Sequence, residues 1–428
     1  MATSKAVWRL GKAAPPIEPH TLAKHRVIRR YIERYLDIVT QDWRMDTLRI
    51  SFVDGYCGGG RYSNGSESFP GSPLIFLKTV AEMESRIGAV RRNGFHIKAR
   101  YIFIDSEKRH TEYLRAEIEN SDFRHMLDKE ISIWTGDFNV LVDEAIVEVR
   151  KNSPNAGCSL FLLDQFGWSQ VSLASIRKIL QTLRKSEVFL TFMVDALANY
   201  ISEKSYDLQA FERIDVSPDL VREMLRYKEQ DYLGARVLIQ NFLYDHIREK
   251  TQAPYYSPFM IKSPEASRSH WFLHLSKHHE ARNEIGEIHW QETNTTTHHG
   301  RSGLHALGFT PTGDLGQYML ESVMDDHARQ LSRDAIREQM PRLIYDAVAG
   351  GGVPSLVDLF GSRCSDTPVV RSIIEPEIIR LRDEGDIVIR QEDGTIRPRT
   401  KTVEWTDRFE LAKAPTLFGP FSKLKRDD

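Results

Sequence analysis

Five times between residues 50 and 193 a short apolar run is followed, after a few polar residues, by a segment of helical period. The runs are ISFVD (50–54), YIFID (101–105), ISIW (131–134), SLFLLD (159–164) and VFLTFM (188–193). Each is too short for a helix, and a helical stretch separates each from the next. Strands joined in that way run parallel, with crossover helices on both faces of one sheet. The chain is therefore expected to be α/β, with a Rossmann-like, doubly wound, mostly parallel sheet.

Ligands of such sheets bind outside the carboxyl ends of the strands. Three successive strands end in a carboxylate: Asp54, Asp105 and Asp137. Behind Asp54 come Gly55, Gly58, Gly59 and Gly60, which let backbone N–H groups approach a ligand because no Cβ intervenes. Ser72 and Pro73 then suit the start of a helix, whose positive end favours an anionic or carboxylate-bearing group. Asp105 suits the hydroxyls of a ribose, and Asp137 with Phe138 suits an adenine. The glycines precede Asp105 by about 45 residues, against the ~20 of a dinucleotide fingerprint, which disfavours a nicotinamide-dependent dehydrogenase. One such Asp reads as a helix cap; three side by side read as a ligand site.

Around this core the reading is coarser. The first twenty residues, rich in Pro and Ala, are expected to be a poorly fixed arm. A helix follows from about Thr21 to about Val39, and His20, Lys24 and His25 read as its solvated end. Residues 61–70 read as a loop. Residues 196–252 form a helical insertion, residues 255–261 and 271–275 two more strands, and residues 281–290 a helix. The expected organisation is a first domain over residues 1–292, a linker at 293–329, a small domain at 330–404 and a tail at 405–428. In the small domain three helices precede two strands (386–390 and 395–402), the order of a winged helix-turn-helix.

The strings FVDGYCGGGRY with GSPL behind it, PHTLAKHRVIRRYI and FLLDQFGW resemble the three-Cys-motif partner (TcmP) proteins, a bacterial family. The resemblance covers roughly residues 19–290. It implies a fold similar to class I S-adenosylmethionine-dependent methyltransferases, with a C-terminal winged helix in some members. It further implies that Asp54, Gly55, Gly58 and Gly60 hold the methionine end of S-adenosylmethionine, Asp105 the ribose, and Asp137 with Phe138 the adenine. A neighbour-encoded partner with a three-cysteine, radical-type motif is implied as well. The same family likeness sets Asp164-Gln165-Phe166-Gly167 where amino-methyltransferases carry Asp/Asn-Pro-Pro-aromatic. Asp164 would accept from a substrate amine and Phe166 would stack on its base, although Gln165 and Gly167 depart from that pattern.

Charge offers no global pull toward nucleic acid: 58 Lys plus Arg stand against 60 Asp plus Glu. From Met340 to Asp428 the tally is 14 against 15. A DNA or RNA contact there would rest on Arg390, Arg397, Arg399 and Lys401, and protein binding is equally open. Three scattered cysteines, Cys57, Cys158 and Cys364, argue for a reducing compartment. No apolar run reaches the ~18 residues of a membrane span, so a cytoplasmic protein is expected. Eight of the 15 histidines lie between His270 and His305, without the spacing that makes a metal site the better reading. A methyltransferase and a non-enzymatic partner with a degenerate Rossmann-like domain both follow from these residues.

Overall fold

The computed structural model describes residues 6–91, 94–193, 197, 208–230, 232–262, 269–292, 296–299, 321–361 and 364–412. The chain forms two compact units, Met1–Ile288 and His289–Asp428. The division falls four residues before the expected end of the first domain. Most of the expected linker, and the tail beyond residue 412, lie outside the described residues.

In the first unit, strands β1 (Thr47–Asp54), β4 (His96–Asp105), β5 (Ile131–Thr135), β6 (Ser159–Leu163), β7 (Ser186–Phe192), β8 (Tyr255–Lys262) and β9 (Ser269–Ser276) lie in the order β5-β4-β1-β6-β7-β9-β8. The first five are parallel; β9 is antiparallel to both β7 and β8. This is the expected Rossmann-like, class I methyltransferase-like sheet. The five parallel strands show why their runs were legible. A parallel sheet covered on both faces asks for continuous apolar residues, and Ile50, Phe52, Ile102, Phe103, Ile104, Phe161 and Leu163 are fully buried. Strands β1 and β6, far apart in the chain, are neighbours in the sheet, and the winding reverses between them, which opens a crevice at their carboxyl ends.

Helices α1 (Pro19–Val39), α2 (Ser72–Val90), α3 (Lys108–Glu119), α4 (Phe138–Asn152) and α5 (Leu173–Thr182) flank the sheet. Three expectations need correction here. Residues 61–70 are a hairpin, β2 (Arg61–Asn64) paired with β3 (Glu67–Pro70). Its turn is Gly65-Ser66, with Gly65 at φ +63°, a conformation that suits a two-residue hairpin. The polar strands of that hairpin carried no alternation to betray them. The arm is also fixed where it is described, from residue 6: Ser63 N–H donates to Pro15 O at 2.9 Å, Ile17 N–H donates to Ser63 O at 3.1 Å, and Trp8 is 4% exposed. Finally, α1 starts two residues earlier than expected, with Pro19 in its first turn.

The insertion is helical where described: α6 (Leu208–Arg213), α7 (Pro218–Gln230) and α8 (Tyr232–Thr251), the last packing on α5 and α7. Helix α9 (His279–Gln291) follows β9, and Ile288, within it, is the last residue of the unit.

The second unit contains a short antiparallel pair, β10 (Thr296–His299) with β11 (Glu321–Val323), and the long helix α10 (Asp326–Ala349), capped by Asp325, which accepts from Ala328 N–H at 2.8 Å. Helical turns at Val357–Gly361 and Cys364–Asp366 lead to α11 (Arg371–Asp383). Strand β12 (Ile387–Arg390) pairs along its length with β13 (Arg408–Leu411), and with the expected partner, residues 395–402, it shares a single antiparallel bridge, Arg390 with Ile396. Of the four basic residues singled out here, Arg390 bonds Glu410 at 2.7 Å and Arg397 bonds Asp407 at 2.7 Å. No described helix is long and apolar enough to cross a membrane.

Candidate functional site

A cleft of about 620 Å³ opens at the carboxyl ends of β1, β4, β5 and β6, and every residue lining it belongs to the first unit. That volume falls in the range of small-molecule sites. Gly55, Gly58, Asp105, Asp137, Phe138, Asp164 and Phe166 all line it. The chain sets them together because each stands at or just past a strand end on the same edge of the sheet.

Asp54 and Gly60, also expected in the site, are not among the lining residues. Asp54 is fully buried beneath the turn, where its carboxylate accepts from Tyr56 N–H at 3.1 Å. Burial pushes this carboxyl up to about 7, against the opposing bonds from Ser72 and Tyr56. Gly60, at φ +77°, faces Leu114; a Cβ there would stand 2.5 Å from the leucine Cδ1.

The glycine turn differs from expectation in what it does. Gly55 N–H donates to Leu162 O, Tyr56 N–H to Asp54, Cys57 N–H to Ile104 O and Gly58 N–H to Asp105. Four successive amides are thus spent on the protein itself. What the missing Cβ atoms admit is packing: one on Gly59 would stand 2.3 Å from the Trp8 ring, and one on Gly55 would stand 2.7 Å from the Phe138 ring. Trp8 lies over the turn, its indole N–H bonded to Arg61 O at 2.6 Å and its ring edge-on to His110 with centroids 4.9 Å apart. The arm therefore roofs part of the cleft.

Asp105 is 8% exposed. Its Oδ1 accepts from Glu107 N–H (2.8 Å) and pairs with His110 Nδ1 (3.1 Å), and its Oδ2 accepts from Gly58 N–H (3.0 Å). Burial acts to raise this carboxyl, but the bonds from His110 and the two amides outweigh it and hold it low. A carboxylate offers about four acceptor positions, so one remains for a ligand hydroxyl. Asp137 caps α4, accepting from Asn139 N–H at 2.8 Å, and lies exposed at the rim. Phe138 is 2% exposed, its ring pressed on Gly55, so little of it is offered for stacking.

The largest correction concerns α1. Its first turns are not a solvated end: Lys24 and His25 are buried, and with His20 they line the cleft. Lys24 Nζ meets both oxygens of Asp164 at 2.5 and 2.6 Å. Burial would raise the Asp164 carboxyl, but Lys24 outweighs it and keeps the group ionised. Asp164 therefore caps no helix, α5 being capped by Ser172, and it faces the cleft already paired with Lys24. Burial holds the His20 and His25 imidazoles down to about 4, with Lys24 acting in the same direction, so both are neutral at pH 7. Apolar residues Val27, Ile28, Tyr31 and Tyr35 orient this helix, and their period was the signal that its opposite turns also meet protein. Tyr62 from β2 and Arg213 from α6, neither singled out in the sequence, complete the wall.

The histidine-rich stretch does not converge as a metal site among the described residues. His274, from it, is buried and bonded to Glu187 at 3.0 Å.

No protein-family model matches the sequence, and no curated protein matches it either. Among solved structures, Trm1 from Pyrococcus horikoshii in complex with S-adenosyl-L-methionine aligns over 95% of both chains at 11% identity and TM-score 0.32. TYW2 from P. horikoshii in complex with MeSAdo aligns over 62% of this chain and 66% of its own at 12% identity and TM-score 0.24. The methyltransferase domain of bacterial CtHen1 aligns over 59% of this chain and all of its own at 10% identity and TM-score 0.26. Matches at this level assign neither substrate nor activity to the chain.

Proposed function

We propose that the first unit is an S-adenosylmethionine-dependent methyltransferase. The observation that carries the reading is Asp105, set at the end of the second parallel strand beside the winding reversal, with one acceptor position left and the cleft before it. The cleft fits the cofactor by volume and by its donor set. Asp105 would hold the ribose, Gly136 and Asp137 the base, and Gly55 and Ser72 would face the amino-acid end. The cofactor, when bound, supplies a methyl group on an already good leaving sulfonium. The chain's own task is then to orient the acceptor and keep water out. The Trp8 roof and the neutral imidazoles of His20 and His25 suit that task. The acceptor would be nucleic acid, and by the family likeness a neighbour-encoded three-Cys-motif partner would act with the protein.

Calorimetric titration of the whole protein with S-adenosylhomocysteine tests the reading. Saturable binding at micromolar concentration, weakened at least about tenfold by Asp105→Ala, is the expected result. No heat of binding at high micromolar concentration would remove it.

A second reading, a non-enzymatic partner built on the same fold, is favoured by one observation: the turn amides from Gly55 to Gly58 are all bonded internally, with Trp8 over the turn. The titration separates the two, since the partner role needs no cofactor.

A further inference from the structure

Two pairs of neighbouring residues meet in the cleft, Lys24-His25 from α1 and Asp164-Gln165 from the end of β6. Their first members form the ion pair described above, which clasps helix to strand end. Their second members each leave a buried polar atom without a partner: His25 Nδ1 and Gln165 Nε2. Both residues line the cleft, and they are 7% and 2% exposed. A buried polar atom left unpaired is costly, so such atoms in a cleft point to a ligand.

For Gln165 the chemistry of the free end is fixed. Its Oε1 accepts from Gln170 N–H at 2.8 Å and Val171 N–H at 2.9 Å. Turning the amide over would set its NH2 against two donors, so the unpartnered end is the donor. Next along the chain, Phe166 leaves an apolar ring 46% exposed at the same wall. Lys24 cancels the charge of Asp164, so the pocket does not call for a cationic amine.

We infer that the acceptor substrate is a planar, uncharged heterocycle, with a ring nitrogen or carbonyl oxygen taking a hydrogen bond from Gln165 Nε2. The adjacent polar position of the same edge meets His25 Nδ1, and the face of the ring lies against Phe166. The edge of a nucleobase has this chemistry. A neutral imidazole serves either a donor or an acceptor by choice of tautomer, so Gln165 fixes the register and His25 adapts. The inference deepens the methyltransferase reading by naming its acceptor, but it rests on atoms that the cofactor subsite at Asp105 does not use.

The test is NMR of the whole protein with 15N-labelled glutamine, saturated with S-adenosylhomocysteine and titrated with cytidine, uridine and guanosine. The Gln165 NH2 signal is assigned by its loss in Gln165→Glu, which keeps an oxygen for the Gln170 and Val171 amides. At least one nucleoside is expected to shift that signal saturably. Its affinity should fall about tenfold or more in Gln165→Glu and in His25→Phe, while S-adenosylhomocysteine affinity stays within about twofold. If none of the three moves the Gln165 signal at millimolar concentration, or if Gln165→Glu binds as tightly as the parent, the inference is overturned. Failure of S-adenosylhomocysteine to bind strikes the methyltransferase reading alone. The nucleoside titration of the unliganded protein then decides the role of Gln165.

Discussion

Asp54 carries a carboxyl group that folding removes from water altogether, and its pH behaviour follows from that. Raised to about 7, it holds its proton in the folded state at pH values where the unfolded chain has lost it. Its cost to stability is thus absent below about pH 4 and complete above about 7. Asp54→Asn should raise the melting temperature at pH 8, by an amount on the order of 4 kcal/mol in stability, and lose that advantage near pH 4. A melting-temperature gain equal at both pH values would contradict the assignment. His25 acts with the opposite sign. Lowered to about 4, it contributes stability that is present above about pH 6.5 and fades as pH falls toward 4. His25→Phe should flatten the acid limb of the stability curve over that window, as thermal melts from pH 7 to 4 will report. Lys24→Met leaves the Asp164 carboxylate uncompensated and should destabilise by about 3–5 kcal/mol. Adding Asp164→Leu should return most of that loss, and denaturant titrations of the single and double variants measure the difference.

Between elements, the decisive contact is the arm against the turn after β1. Glycine at position 59 is there for Trp8: a Cβ would stand 2.3 Å from the indole Cγ. Gly59→Ala should therefore cost about 1–3 kcal/mol through overpacking. In Trp8→Ala the same change should cost much less, so a double-mutant cycle by chemical denaturation should show strong coupling. Independent effects that simply add would separate the turn from the arm. The sequence displayed the glycines clearly and their purpose not at all. Gly-Gly-Gly announces room beside a backbone, but whether a ligand or an indole fills it depends on residues fifty positions away.

At the scale of the molecule, every residue lining the cleft lies between Ala6 and Arg213, and β9 is the last strand in the chain order of the first unit. A chain ended after Glu292 should bind S-adenosylhomocysteine within about twofold of the full protein, by calorimetry. A loss of binding would mean that the second unit completes the site. In either length, ligand at 100 times its dissociation constant should stabilise by about 2.7 kcal/mol.

The sheet was legible because parallel strands covered on both faces must be apolar from end to end, and the crossovers between them must be helical. Those are local demands, written in consecutive residues. The positions of Asp105, Asp137 and Asp164 at strand ends followed from the same pattern. Their chemistry did not, because hydrogen bonds and charge pairing join residues far apart in sequence. Asp105 is tied to Gly58 across 47 positions and Asp164 to Lys24 across 140. Only the folded chain decides that Lys24 and His25 face inward, that the turn amides serve the protein itself, and that Asp54 is sealed below the cleft. Sequence alone specifies which groups arrive at the edge of the sheet; burial and pairing, which are properties of three-dimensional neighbours, specify what each group can do there.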